Sequence, residues 1–259
     1  MYKNNDLKTY LDELVIRYET VEFIKDDPIQ FPHRYKTPED IEISGFLASI
    51  FAYGNRKIFI RKLDELFSLM GESSYKYIIN GDFILNGFNY RFMKEKDIVA
   101  ILSVLQQLYR HDDGLLGLFA RAYEQKDFLQ YVCDYFYSTA EKLNGELGDG
   151  FYFAIPNPSK GGAMKRMWMF LRWMIRKSEV DLGVWKFMPP AELCIPVDVH
   201  VARISRELGI LKRSSNDRKA VCEITEFLRT LDPVDPVKYD FALFGYGVNN
   251  MSRAESEVR

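Results

Sequence analysis

Hydrophobic positions recur at helical spacing along nearly the whole chain. In residues 6–19, Leu7, Leu11, Leu14, Val15 and Tyr18 fall on one stripe, which predicts an amphipathic helix. The stretch DPIQFPHRYKTP (27–38) holds three prolines and interrupts the pattern, so it reads as a loop. Thr37 then caps a helix in which Pro38 takes the first position and Glu39 and Asp40 lie in the first turn. The body of that helix, IEISGFLASIFAYG, is apolar almost throughout and predicts burial on most sides. Gly54-Asn55 ends it, and a second helix runs through RKIFIRKLDELFSLM to Gly71. Helical spacing continues over 73–79, 94–109, 115–124, 127–142, 164–177, 199–208, 217–230 and near 236–245. Only FYFAI (151–155) reads as a strand. Strands do not alternate with helices, which excludes Rossmann and barrel folds and predicts an all-α protein. The segment 145–162, with five glycines and two prolines, marks a boundary between a lobe at 37–145 and a lobe at 164–230. The helix at 6–19 is expected to pack on the rest, the whole forming a single domain with a cleft between its lobes.

Composition narrows the class. Hydrophobic residues make up 47% of the 259, aromatics 15% and charged residues 28%, which excludes disordered, collagen-like and low-complexity chains. No apolar run reaches the ~18 residues of a membrane span, and the charged N-terminus lacks a signal-peptide core, so a cytoplasmic protein is expected. Three scattered cysteines and three scattered histidines give neither a disulfide framework nor a metal site, and no cofactor is expected. The net charge of -2 hides an uneven distribution. Residues 1–50 carry six Lys/Arg against ten Asp/Glu, residues 151–190 seven against two, and residues 200–219 six against two. Such basic stretches fit either a polyanionic partner or solvated helix faces.

Two segments carry candidate chemistry. In PSKGGAMKRMWMFLRWMIR (158–176), glycines stand directly before a helix, where free backbone N–H groups attract phosphate. Lys165 lies in the first turn and shares a face with Arg172 and Arg176, opposite an apolar stripe of Met164, Met167, Trp168, Leu171, Met174 and Ile175. The same pattern suits an ordinary amphipathic helix. In IPVDVHVARISRELG (195–209), Asp198 opens a helix with a buried stripe of Val201, Ile204 and Leu208. It is either an N-cap alone or also a site carboxylate; His200 is given no catalytic role.

The segment IPVDVHVARISRELG resembles the aspartate motif of the helix-hairpin-helix DNA glycosylases, with PVDVH as its specific part. GGAMKR before a long apolar helix looks like the element that supplies their nucleophilic lysine. Over most of its length the chain also resembles the bacterial family called domain of unknown function 2400, through KRMWMFLRWM (165–174) and PVDVH (196–200). The resemblance implies a two-lobed, helix-hairpin-helix glycosylase-like fold and a DNA-repair glycosylase and lyase acting on duplex DNA. Lys165 would be the nucleophile and Asp198 the assisting carboxylate. Lys160, Gly161, Gly162, Arg166, Arg172 and Arg203 would contact phosphates. AYGN (52–55) sits where glycosylases probe the duplex, which nominates Tyr53 and Asn55. The chain departs from the family pattern in three places, one being that no four-cysteine iron–sulfur motif follows the aspartate. The usual LPGVG before the lysine is replaced, and the 33 residues from Lys165 to Asp198 exceed the spacing in most glycosylases. A non-catalytic nucleic-acid-binding protein and an enzyme acting on a nucleoside or modified RNA stay open as alternatives.

Overall fold

The computed structural model describes residues 4–257. Among them are thirteen α-helices and no strand, with isolated bridges only at Tyr90–Met93, Gly162–Asp217 and Lys177–Leu182. The chain is all-α, and it divides into two compact units, residues 27–160 and residues 1–26 with 161–259.

The unit 27–160 opens on two short 3-10 turns, Pro28–Gln30 and Pro32–Arg34, inside the proline-rich loop. Its helices are α3 (Pro38–Phe51), α4 (Arg56–Met70), α5 (Ser74–Asn80), α6 (Glu95–His111), α7 (Gly114–Tyr123), α8 (Phe128–Asn144) and α9 (Asp149–Ala154). Every residue of α3 from Asp40 to Phe51 is buried, as its apolar run demands. Burying Glu42 and Asp40 there requires partners. Tyr109 donates to Glu42 Oε2 (2.7 Å), while Asp40 accepts from Thr37 Oγ1 (2.6 Å), Ser73 Oγ (2.9 Å) and the N–H of Tyr75 (2.8 Å). Thr37 is thus the N-cap by position, but its hydroxyl serves the Asp40 carboxylate, not the helix backbone.

The expected strand at 151–155 is instead the end of α9, with Ile155 as its C-cap. Phe151, Ala154 and Ile155 are buried whereas Tyr152 and Phe153 are exposed, a helical spacing in place of a strand's alternation. Phe–Tyr–Phe has strand propensity, but burial at every third or fourth position decides the outcome.

The other unit contains α1 (Asn4–Tyr18), α2 (Val21–Lys25), α10 (Lys165–Ile175), α11 (Val199–Glu207), α12 (Arg218–Leu231) and α13 (Tyr239–Glu257). Its core joins Leu7, Leu11 and Leu14 of α1 to Val201 and Ile204 of α11, Ile224 and Leu228 of α12, and Leu243 of α13. Helix α13 packs on both α1 and α11, and two glycines permit the approach. A Cβ at Gly245 would stand 2.4 Å from the Tyr18 ring, and one at Gly247 would stand 3.1 Å from His200 Cβ. Among the described residues no helix is long and apolar enough to cross a membrane.

Candidate functional site

Asp198 follows the buried run Ile195–Val197 and turns the chain into α11. Its Oδ1 accepts from the N–H groups of His200 (2.9 Å) and Val201 (3.0 Å), the geometry of an N-cap. That leaves Oδ2 outside the cap, and Lys165 Nζ lies 4.0 Å from it. Lys165 is the first residue of α10, preceded by Met164 in the left-handed region (φ 51°). Both side chains keep partial solvent contact, 28% for Lys165 and 20% for Asp198. A lysine opening one helix and an aspartate capping another therefore meet within one unit.

The rest of the basic face of α10 turns inward. Arg172 is 3% exposed and Arg176 5%, so the helix is buried on nearly all sides and not along one apolar stripe. Arg172 bonds Asp181 (3.2 Å) and, very closely, Asp240, the second residue of α13. Arg176 bonds Asp181 (2.9 Å), Asp235 (2.8 Å) and Glu19. Two guanidinium groups thus answer four carboxylates. Burial opposes the charge of Arg176, but the bond to Glu19 and the fields of Asp181 and Asp235 outweigh it and hold the group above its ordinary value. Burial pushes the Asp240 carboxyl up to about 7 against the pull of Arg172, and the nearby Asp198 adds to the push. Burial likewise raises Asp181, opposed by Arg172 and Arg176. The expectation that Arg172 contacts phosphate is corrected: a sealed guanidinium already bound to two carboxylates does not reach a polyanion.

The remaining expected residues fall in several places. Gly161 (φ +76°) and Gly162 border open space, where an added Cβ would meet nothing within 4 Å; Gly161 O accepts from the N–H of Arg218 (2.9 Å), and Gly162 bridges Asp217. Arg166, next to Lys165, is half-buried. Arg203 donates to Glu207 (2.8 Å) and to the carbonyl of Gly247 (3.0 Å), which ties its guanidinium to its own helix and α13. Lys160, Tyr53 and Asn55 belong to the other unit. Lys160 is exposed, Asn55 caps α4 by accepting from Ile58 N–H (3.3 Å), and the Tyr53 hydroxyl donates to Tyr90 O (2.8 Å).

Sequence reasoning missed Asp240 and Asp181. Asp240 lies in YDFALFGYG, where its only signal is a single acid inside an apolar helix. Asp181 lies in the loop after α10, where nothing local predicts full burial.

The chain belongs to the family described as protein of unknown function DUF2400, which it matches over residues 27–249. No curated protein and no solved structure matches it.

Proposed function

We propose that this family member is a DNA-repair glycosylase and lyase, with Lys165 as nucleophile and Asp198 as the assisting carboxylate. The reading includes a two-lobed, helix-hairpin-helix glycosylase-like fold, duplex DNA as partner and a cytoplasmic setting. The observation that carries it is the Lys165–Asp198 pair. The buried pairs of the same unit close to 3.2 Å or less and are sealed, whereas this amine stands 4.0 Å from its carboxylate and both remain reachable from solvent. A pair that only stabilises the fold gains nothing from staying open.

The N-glycosidic bond is inaccessible inside a duplex, so the target nucleotide must first flip out, which is cheapest for a damaged or mismatched base. The Lys165 amine, its proton passed to Asp198, then forms a bond to C1′ as the bond to the base breaks, and Asp198 hands that proton to the departing base. Loss of the amine proton and opening of the sugar yield a Schiff base, from which the strand can be cut. Asp198 Oδ2, not used in capping, accepts the lysine proton and stabilises the positive charge on the sugar. A second reading, a nucleic-acid-binding protein without catalysis, is favoured by one fact: the pair is also a satisfactory ion pair.

The test uses duplexes carrying single lesions or abasic sites in the presence of borohydride, which reduces a Schiff base to a stable amine. The wild type is expected to give a covalent complex, and Lys165→Gln none, with its duplex affinity retained. Asp198→Asn should slow base release by roughly a hundredfold or more. Duplex binding without any trapped complex on every lesion would leave the second reading.

A further inference from the structure

Outside that pair, the unit 27–160 presents a cluster of solvent-facing aromatic rings. Phe92 is 57% exposed and Phe153 37%. Their centroids lie 5.0 Å apart, and Tyr53 stands 4.7 Å from Phe153 and stacks nearly parallel to Phe92 at 6.4 Å. The Arg91 guanidinium lies 5.7 Å from the Phe92 ring and 5.9 Å from that of Tyr53.

The backbone holds this cluster in place. Tyr53 donates to Tyr90 O (2.8 Å), and Tyr90 donates back to Tyr53 O at very close range, which locks two loops together. Gly54 (φ +81°) lets the arginine in: a Cβ there would stand 2.7 Å from Arg91 Nη1. Arg91 itself has φ 53°, a left-handed conformation that costs a non-glycine residue energy. The carbonyl of Phe92 comes within 2.4 Å of where a Gly150 Cβ would be, which sets it against the helix that carries Phe153. In the segments that carry these rings Lys57, Arg61, Arg91, Lys94 and Lys96 are exposed, whereas Lys62 is taken by Glu65 (2.7 Å).

We infer that Phe92 and Phe153, with Tyr53 and Arg91, form a stacking surface for the unpaired bases of single-stranded DNA. Exposed rings beside an excess of cations are the means by which proteins hold single strands: each base offers a face to a ring while the cations follow the phosphates. Duplex bases are already stacked and offer no such face. The inference takes its polymer from the DNA reading above and uses no chemistry at Lys165.

The experiment is fluorescence anisotropy of the full chain with labelled oligothymidylate, its RNA counterpart and a duplex. Phe92→Ala and Phe153→Ala should each weaken binding of the DNA single strand roughly five- to hundredfold, while Phe92→Tyr, which keeps a ring, stays within about twofold. Arg91→Gly, which relieves the left-handed backbone and so preserves the fold, should weaken binding and flatten its salt dependence. Thermal melting should stay cooperative in both alanine variants, close to the wild type for Phe92→Ala and modestly lowered for Phe153→Ala, whose ring is mostly covered by its neighbours. If trapping fails while ring-dependent binding persists, the lyase reading falls and this inference stands. Affinity unchanged by removing both rings, no single-strand binding by the wild type, or tighter binding of RNA would overturn it. So would a double variant that changes only its self-association.

Discussion

Asp240 shows how one residue can alter the chemistry around it without advertising itself in the sequence. It is buried, bonded to Arg172 and close enough to Asp198 and Lys165 to feel both charges. Its carboxyl, raised by burial to about 7, binds a proton in the folded protein that the unfolded chain releases near the ordinary value of 3.8. Between those values the folded state holds more protons, so this group's contribution to stability is complete below about 4 and is lost as pH rises towards 7. Denaturant unfolding across that range should show the wild type losing stability with rising pH and Asp240→Asn losing measurably less. An identical pH dependence in the two proteins would mean that Arg172 keeps Asp240 ionised. At this scale the sequence revealed Lys165 and Asp198, because each stands at a helix start beside a distinctive motif. It concealed Asp240, because a long-range partner 68 positions away leaves no local mark.

Helices were largely legible, since apolar periodicity and capping residues act locally. Gly71 ends α4 and Asp217 begins α12 as their chemistry dictates, whereas Asn55, expected with Gly54 to end the preceding helix, caps the start of α4, and α3 stops earlier at Phe51. Two failures have tertiary causes. Strand propensity in FYFAI gave way to the burial pattern of α9, and the basic face of α10 reads as solvated until four distant carboxylates are seen to cover it. The cap of α11 gives a direct test of element chemistry. Asp198→Ala removes the acceptor for two backbone N–H groups and should cost about 1 kcal/mol in urea unfolding, with an unchanged m value. Asp198→Asn should stay within a few tenths of the wild type, because asparagine caps about as well. Equal losses for both variants would move the stabilising role from the cap to the ion pair with Lys165.

Over the whole molecule, the charge tally along the sequence misleads about where a polyanion would bind. Much of the cationic excess of residues 151–219 is already engaged: Arg172 and Arg176 are sealed, while at the surface Arg203 and Arg213 pair with Glu207 and Asp217 and Arg206 bonds the backbone of 213–214. Arg172→Gln should therefore cost about 3 kcal/mol or more of stability, as expected for breaking a buried pair, and leave the salt slope of duplex affinity unchanged. Lys160→Gln should do the reverse, reducing that slope by about one with little effect on melting. A changed salt slope in a stable Arg172→Gln protein would return Arg172 to the DNA-facing surface. The central claim remains covalent chemistry at Lys165, and peptide mapping of the borohydride-reduced complex tests it most directly. Mass spectrometry of the wild type incubated with an abasic-site duplex should find the sugar remnant on the Lys165 amine. A trapped adduct on any other lysine, or duplex bound without an adduct, would contradict it.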